Sequence, residues 1–200
     1  MSDSSQKPAR GRPKTLRKAD VVDVAMRAYW EDGPTEVSLN AICQRAGVSK
    51  PSVYREFGND DGLTSAALEH YAQCVLAEIL NILGRDGGFA DKIRDVARLV
   101  AEGAEYEGGC LFVKMRAAKP RMGEKTQALI DAIDRMALDA FAKVLAEARE
   151  RGEWSASIPD ALGAQYLHAQ IGLALDQRAR GEDPKATLAL ALSVFDLVEP

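Results

Sequence analysis

The chain has 200 residues, 46% of them hydrophobic, 28% charged and only 6% aromatic, which is enough apolar material for one large or two small packed domains and excludes disorder throughout. Alanine is abundant and alternating runs of Val, Ile and Thr are missing, which argues against an all-β or parallel-sheet architecture and for an all-α one. The net charge of −4 is unevenly spread: residues 1–60 hold ten Lys/Arg against eight Asp/Glu, and residues 61–200 hold sixteen against twenty-two.

Residues 1–14 read as a flexible basic arm. Lys7, Arg10, Arg12 and Lys14, with Arg17 and Lys18 just beyond, face a single acid, Asp3, among Ser, Gly and Pro, a composition suited to a polyanion. A first helix is expected from about Thr15 to Glu31, its apolar face made by Val21, Val22, Ala25, Ala28 and Tyr29 and its end set by Asp32-Gly33-Pro34. Ser38 then caps a short helix, Leu39 to Ala46, which Gly47 ends, and Val48 plugs the turn. Ser49 caps a third helix that tolerates Pro51 in its first turn and turns Val53 and Phe57 inward. Asn59 is the next N-cap, with Asp60 and Asp61 in the first turn of a linking helix expected over 59–83.

Further helices are expected over 89–103, 110–118, 124–151, 160–180 and 184–198, the last opened by Asp183 and Pro184. In the longest, Leu129, Ile133, Met136, Ala140 and Val144 recur at helical spacing and read as one buried stripe. Leu188, Leu192 and Phe195 form a stripe on the last helix, while Ala169, Gly172 and Ala174 narrow the one before it. Together they suggest a four-helix interface between two copies of the chain.

Ser38 to Phe57 thus reads as helix, four-residue turn, helix, the layout that lays a second helix into a DNA major groove. The stretch Ser38-Leu-Asn-Ala-Ile-Cys-Gln-Arg-Ala-Gly-Val-Ser-Lys-Pro-Ser-Val-Tyr-Arg-Glu-Phe57 resembles the DNA-binding segment of the TetR family of transcriptional regulators. Gly33, the Ala46-Gly47-Val48-Ser49 turn and the Tyr54-x-x-Phe57 pair stand at that family's spacings, and the likeness covers about residues 17–71. The resemblance implies a homodimer that binds a palindromic operator through residues 15–58 and carries an effector-binding and dimerisation domain over 59–200. It also places Ser38, Ser49 and Tyr54 at phosphate contacts, and Lys50, Ser52 and Arg55 on the recognition helix. Hydroxyls and helix N-terminal amides suit phosphate oxygens, and Lys or Arg can read guanine edges. The sequence departs from the family at Glu56, where an aromatic or histidine is frequent, and at Asp60, where a backbone-directed lysine is. In the arm, Arg10-Gly11-Arg12-Pro13 is similar to an AT-hook core, whose arginines lie in a narrow minor groove.

An enzyme is not expected. The chain lacks Gly-x-Ser-x-Gly and His-Glu-x-x-His patterns, shows no phosphate-cradling glycine loop, and has two distant histidines, His70 and His168. Cys43, Cys74 and Cys110 are in no metal-ligand spacing and read as buried thiols, so no metal and no cofactor is expected. No apolar run approaches the roughly 20 residues that span a bilayer, and the first 20 residues hold no apolar signal core, so a soluble cytoplasmic protein without a membrane partner is expected. Cys110, Phe112, Met115, Met136, Phe141, Trp154, Tyr166 and His168 are the candidate lining of an effector pocket. With few charges nearby it suits a small apolar or aromatic effector whose identity the sequence leaves open. The rival reading is a DNA-binding structural protein of the same fold that answers to no small molecule; it would have a filled core.

Overall fold

The computed structural model describes residues 17–154 and 158–197, so Arg10, Arg12 and the rest of the basic arm lie outside the described residues. Ten α-helical segments follow in chain order: α1 (Lys18–Asp32), α2 (Leu39–Ala46), α3 (Lys50–Phe57), α4 (Asp60–Tyr71), α5 (Ala77–Gly84), α6 (Phe89–Glu102), α7 (Leu111–Ala117), α8 (Glu124–Glu150), α9 (Asp160–Ala179) and α10 (Lys185–Ser193). A π-helical turn, Ala72–Leu76, joins α4 to α5, so the two form one continuous rod and the described residues make an all-α fold of nine helices. None of these helices is long and apolar enough to cross a membrane.

Local chemistry sets the N-terminal helices. Ser38 accepts from the Ala41 amide (3.2 Å) and Ser49 from the Ser52 amide (3.3 Å), each satisfying a first-turn donor that the helix leaves open. Gly47 between them adopts φ +66°, a left-handed conformation that lets the chain reverse at little cost. Val21, Ala25 and Tyr29 of α1 pack with Leu39 and Ile42 of α2, Val53 of α3 and Leu63 and Ala67 of α4. The linking helix is not the uniform rod expected over 59–83. Its π turn shifts the hydrogen-bond register by one residue and rotates the side chains beyond it, and no Pro or Gly marks the place.

The body packs α8 against α9, both of them against α6 and α7, and α8 against the linking helix. The buried face of α8 is Ile130, Ile133, Phe141, Val144, Leu145 and Ala148. Met136, expected inside, is 53% exposed, which corrects the stripe read from the sequence: the helix buries a face offset by about one residue. Phe89, Trp154, Tyr166 and Phe195 form an aromatic cluster with ring centroids 5.6–6.2 Å apart. Cys43 and Cys110 are buried, but Cys74 is exposed on the π turn, against the expectation of three buried thiols.

One contact ties the start of α4 to the start of α8. The residue before α8, Gly123, has no side chain to cap it, and a Cβ there would stand 2.2 Å from the Asp61 carboxyl carbon. Asp61 supplies the cap from 64 and 65 residues away in sequence, accepting from the amides of Lys125 (2.9 Å) and Thr126 (3.1 Å) and from the Thr126 hydroxyl (2.6 Å). Burial raises the carboxyl pKa, but these hydrogen bonds outweigh it and hold the group below its ordinary value. A depressed carboxylate contributes stability above its unfolded pKa and loses it as pH falls through the folded one. Asp61→Ala should therefore lower stability by about 1 kcal/mol at neutral pH. The gap from wild type in thermal melts should narrow below about pH 4, where the unfolded group protonates.

Candidate functional site

The exposed surface of α3 is built from five positions. Lys50, Pro51, Tyr54, Arg55 and Glu56 are exposed to solvent, and Val53 is buried. The Lys50 ammonium lies 5.2 Å from the Tyr54 ring centroid, and that contact pushes its pKa up. Neither Lys50 nor Arg55 has an ion-pair partner among the described residues. The cations around them do: Lys18 faces Glu56 at 3.5 Å, and Arg45 pairs with Asp32 at 2.5 Å. Ser38 and Ser49 are exposed caps, and the Ser49 and Ser52 hydroxyls lie 2.8 Å apart. A capping hydroxyl uses one lone pair, so the Ser38 proton stays free to donate to an anion. Ser38, Ser49, Lys50, Ser52, Tyr54 and Arg55 thus lie on or beside α2 and α3. Asp60 is exposed at the start of α4, and its charge acts on Lys50.

A partly open cavity of about 380 Å³ lies between the linking helix, α7, α8 and α9, within the usual range for a small-molecule site. Its walls are Ala72, Gln73, Leu76, Ala77 and Leu80 of the linking helix, Phe112, Val113 and Arg116 of α7 with Cys110 beside them, Leu129, Ile133, Met136, Ala137 and Phe141 of α8, and His168, Ile171, Gly172 and Leu175 of α9. Cys110, Phe112, Met136, Phe141 and His168 therefore meet at one cavity. Met115, Trp154 and Tyr166, read from the sequence as lining, do not reach it: Met115 is core, and the other two belong to the aromatic cluster. Burial pushes the Cys110 thiol up, so it stays protonated at neutral pH and is a poor nucleophile.

Sequence reasoning missed the charged end of this cavity. Arg116 donates to Asp134 (3.1 Å) and lies 3.4 Å from His168, whose other contact is Asp134 at 3.5 Å. Burial, then the Arg116 charge, lowers the His168 pKa against the opposing pull of Asp134, so the imidazole is neutral at pH 7. Arg116 stands four residues after Phe112, the spacing that places two side chains on one helix face. That was the available signal.

Residues 21–67 match the family model described as bacterial regulatory proteins, tetR family. Over those residues, which span α1 to the first half of the linking helix, the chain is similar to the TetR family. It is 38% identical over 72 residues to the HTH-type transcriptional repressor ComR of Escherichia coli K12, a match covering 35% of this chain and 34% of that protein. It is 27% identical over 172 residues to the transcriptional regulator AcuR of Cereibacter sphaeroides, covering 80% and 78%. The chain thus spans about a third of the first relative and over three quarters of the second. In fold it resembles a cysteine mutant of the TetR family transcriptional regulator CifR complexed with 26-base-pair operator DNA, with TM-score 0.71, 18% identity, and coverage of 94% of this chain and all of that one.

The residues read as a subunit interface need correction. Leu188 and Phe195 are buried in the protomer's own core, Leu192 is half-buried against it, and Gly172 lines the cavity; only Ala169 is exposed. The apolar side chains that α9 and α10 leave in solvent are Leu162, Leu173 and Leu190, with Val194 just past the last helix. On α9, Leu162, Ala169 and Leu173 share one face by helical spacing.

The unpaired cations of α3 lead to a separable expectation. In fluorescence anisotropy titrations, Lys50→Ala and Arg55→Ala should each weaken binding to a selected site by about 1–3 kcal/mol while changing binding to random DNA less. Equal losses on both DNAs would reassign the side chain to the phosphate backbone.

Proposed function

We propose that the chain is a DNA-binding transcriptional repressor that reads a palindromic operator as a homodimer and lets go of it when a small apolar or aromatic molecule fills the cavity. The observation that carries this reading is a shared helix. The rod that begins at Asp60, three residues after α3 ends, becomes, at its π turn, a wall of the cavity. Residues 15–58 are then the DNA-reading unit, with Lys50, Ser52 and Arg55 toward bases or backbone and Ser38, Ser49 and Tyr54 toward phosphates. Arg10 and Arg12 would add minor-groove contacts. Residues 59–200 hold the effector and the dimer contact. The naming of ComR as a repressor and of CifR's partner as operator DNA supports the DNA-binding half. The cavity supports a ligand-responsive protein over a purely structural one with a filled core.

The exposed face of Leu162, Ala169 and Leu173, with Leu190 and Val194, is what the dimer would cover. Leu190 is 68% exposed, and apolar side chains gathered on one surface mark an interaction site. A two-fold dimer of this kind presents two recognition helices about 34–36 Å apart, or a multiple of it, and so reads two inverted half-sites.

Selection of bound sequences from a random DNA library with the purified protein tests the reading. One consensus with a dyad is expected, and enrichment of no sequence, or of one without a dyad, contradicts it. Leu190→Glu should give monomers in analytical ultracentrifugation with helical content kept, and should lose the palindromic site. A variant that stays dimeric places the interface elsewhere.

A further inference from the structure

The cavity's polar end is small, specific and electrically balanced. Arg116 uses Nη1 on Asp134 and lies near His168, while its Nε and Nη2 have no hydrogen-bond partner among the described residues. Its guanidinium sits 5.6 Å from the Phe112 ring centroid. A Cβ on Gly172 would come within 2.8 Å of Nη2, so the bare glycine is what lets the guanidinium lie against α9. Asp134 cancels the charge of Arg116 from outside the cavity lining, and the neutral His168 adds none. The other charged lining residue is Glu69, exposed on the linking helix. Apart from Gln73, the rest of the wall is apolar.

We propose that this cavity takes an uncharged, mainly apolar molecule that offers one hydrogen-bond acceptor, such as a carbonyl oxygen, to Arg116. The proposal rests on the ligand-responsive reading above and deepens it by naming the ligand's chemistry. A carboxylate entering here would shed its hydration into an apolar site whose Arg116 charge is already neutralised, and would meet Glu69. An ammonium seated at the Arg116 end would meet the guanidinium's donors where it needs acceptors. A plain hydrocarbon fills the space but leaves the donors of Arg116 unpaired after displacing water, and a buried unpaired donor is costly. A neutral acceptor meets all three constraints: it pairs the donor, brings no charge, and lays its body along Leu76, Ile133, Phe141 and Leu175.

Four probes of nearly one shape separate these cases: 4-phenylbutan-2-one, 3-phenylpropanoate, protonated 4-phenylbutan-2-amine and butylbenzene. Isothermal titration of the full chain should rank the ketone tightest, by about tenfold or more over each of the others. Because Arg116→Met alone would strand Asp134, the variant is R116M/D134L, with its melting temperature confirming the fold. It should lose about tenfold in ketone affinity and keep its butylbenzene affinity. The proposal is overturned if the carboxylate or the ammonium binds tightest, if butylbenzene equals the ketone, if the variant binds the ketone undiminished, or if none of the four binds. Operator titrations on the same preparations separate the two readings. Failure with the probes while DNA binding persists removes the ligand class alone, and ketone binding as expected without any selected DNA site removes the regulator reading alone.

Discussion

The joint between the three N-terminal helices and the body turns on the last turn of α1. Lys114 of α7 donates to the Trp30 carbonyl at 2.7 Å, and the Trp30 indole donates back to the Gly109 carbonyl at 3.0 Å. The ring of Trp30 meets Tyr71 edge-on at 5.0 Å, just before the π turn. A helix C-terminus carries partial negative charge and unmet carbonyls, and a cation there satisfies both. Burial pushes the Lys114 amine down from its ordinary pKa, so the desolvated ammonium depends on that carbonyl. Without this reciprocal pair, α1 would rest on the body through apolar contact and the Tyr29–Thr64 hydrogen bond (3.1 Å), and its angle would be less sharply set.

A second tie, Asp61 on the start of α8, fixes the other side of the same joint. Both ties end on helices that line the cavity. Lys114 lies between Val113 and Arg116 on α7, and α8 contributes Leu129 to Phe141. A ligand that repositions α7, α8 or the π turn thereby acts on groups that hold the three N-terminal helices in place. The coupling needs no long pathway, since one bistable element touched by both sites is sufficient. The π turn is the natural candidate because it stores a register shift that a straight α-helix would release.

What the sequence disclosed follows from how far each signal reaches along the chain. Ser38, Ser49 and Asn59 cap the helices read from them because a cap involves residues only three apart. Helix order and near-boundaries were legible for the same reason. Alanine-rich helices with apolar residues on two faces were not: on α10 the spacing singles out Leu188, with Leu192 and Phe195, as an interface stripe, and only packing shows that Leu188 is core and that Leu190, outside the stripe, is in solvent. On α8, two overlapping runs share Ile133 and Val144, and periodicity alone favoured the one through Met136 over the one through Phe141. Asp61 to Thr126 and Arg116 to Asp134 and His168 join separate helices, and a lone chain records no distance between them. The π turn between Ala72 and Leu76 leaves no compositional trace at all.

Hydrogen–deuterium exchange on the full chain with Lys114→Met tests the joint most directly, since methionine keeps the stem and removes the donor. If the pair holds α1 to the body, amides in the last turn of α1, Tyr29 to Gly33, should lose protection together with those of α7, while α2 and the middle of α8 stay as in wild type. Faster exchange confined to α7, with α1 unchanged, would contradict the account.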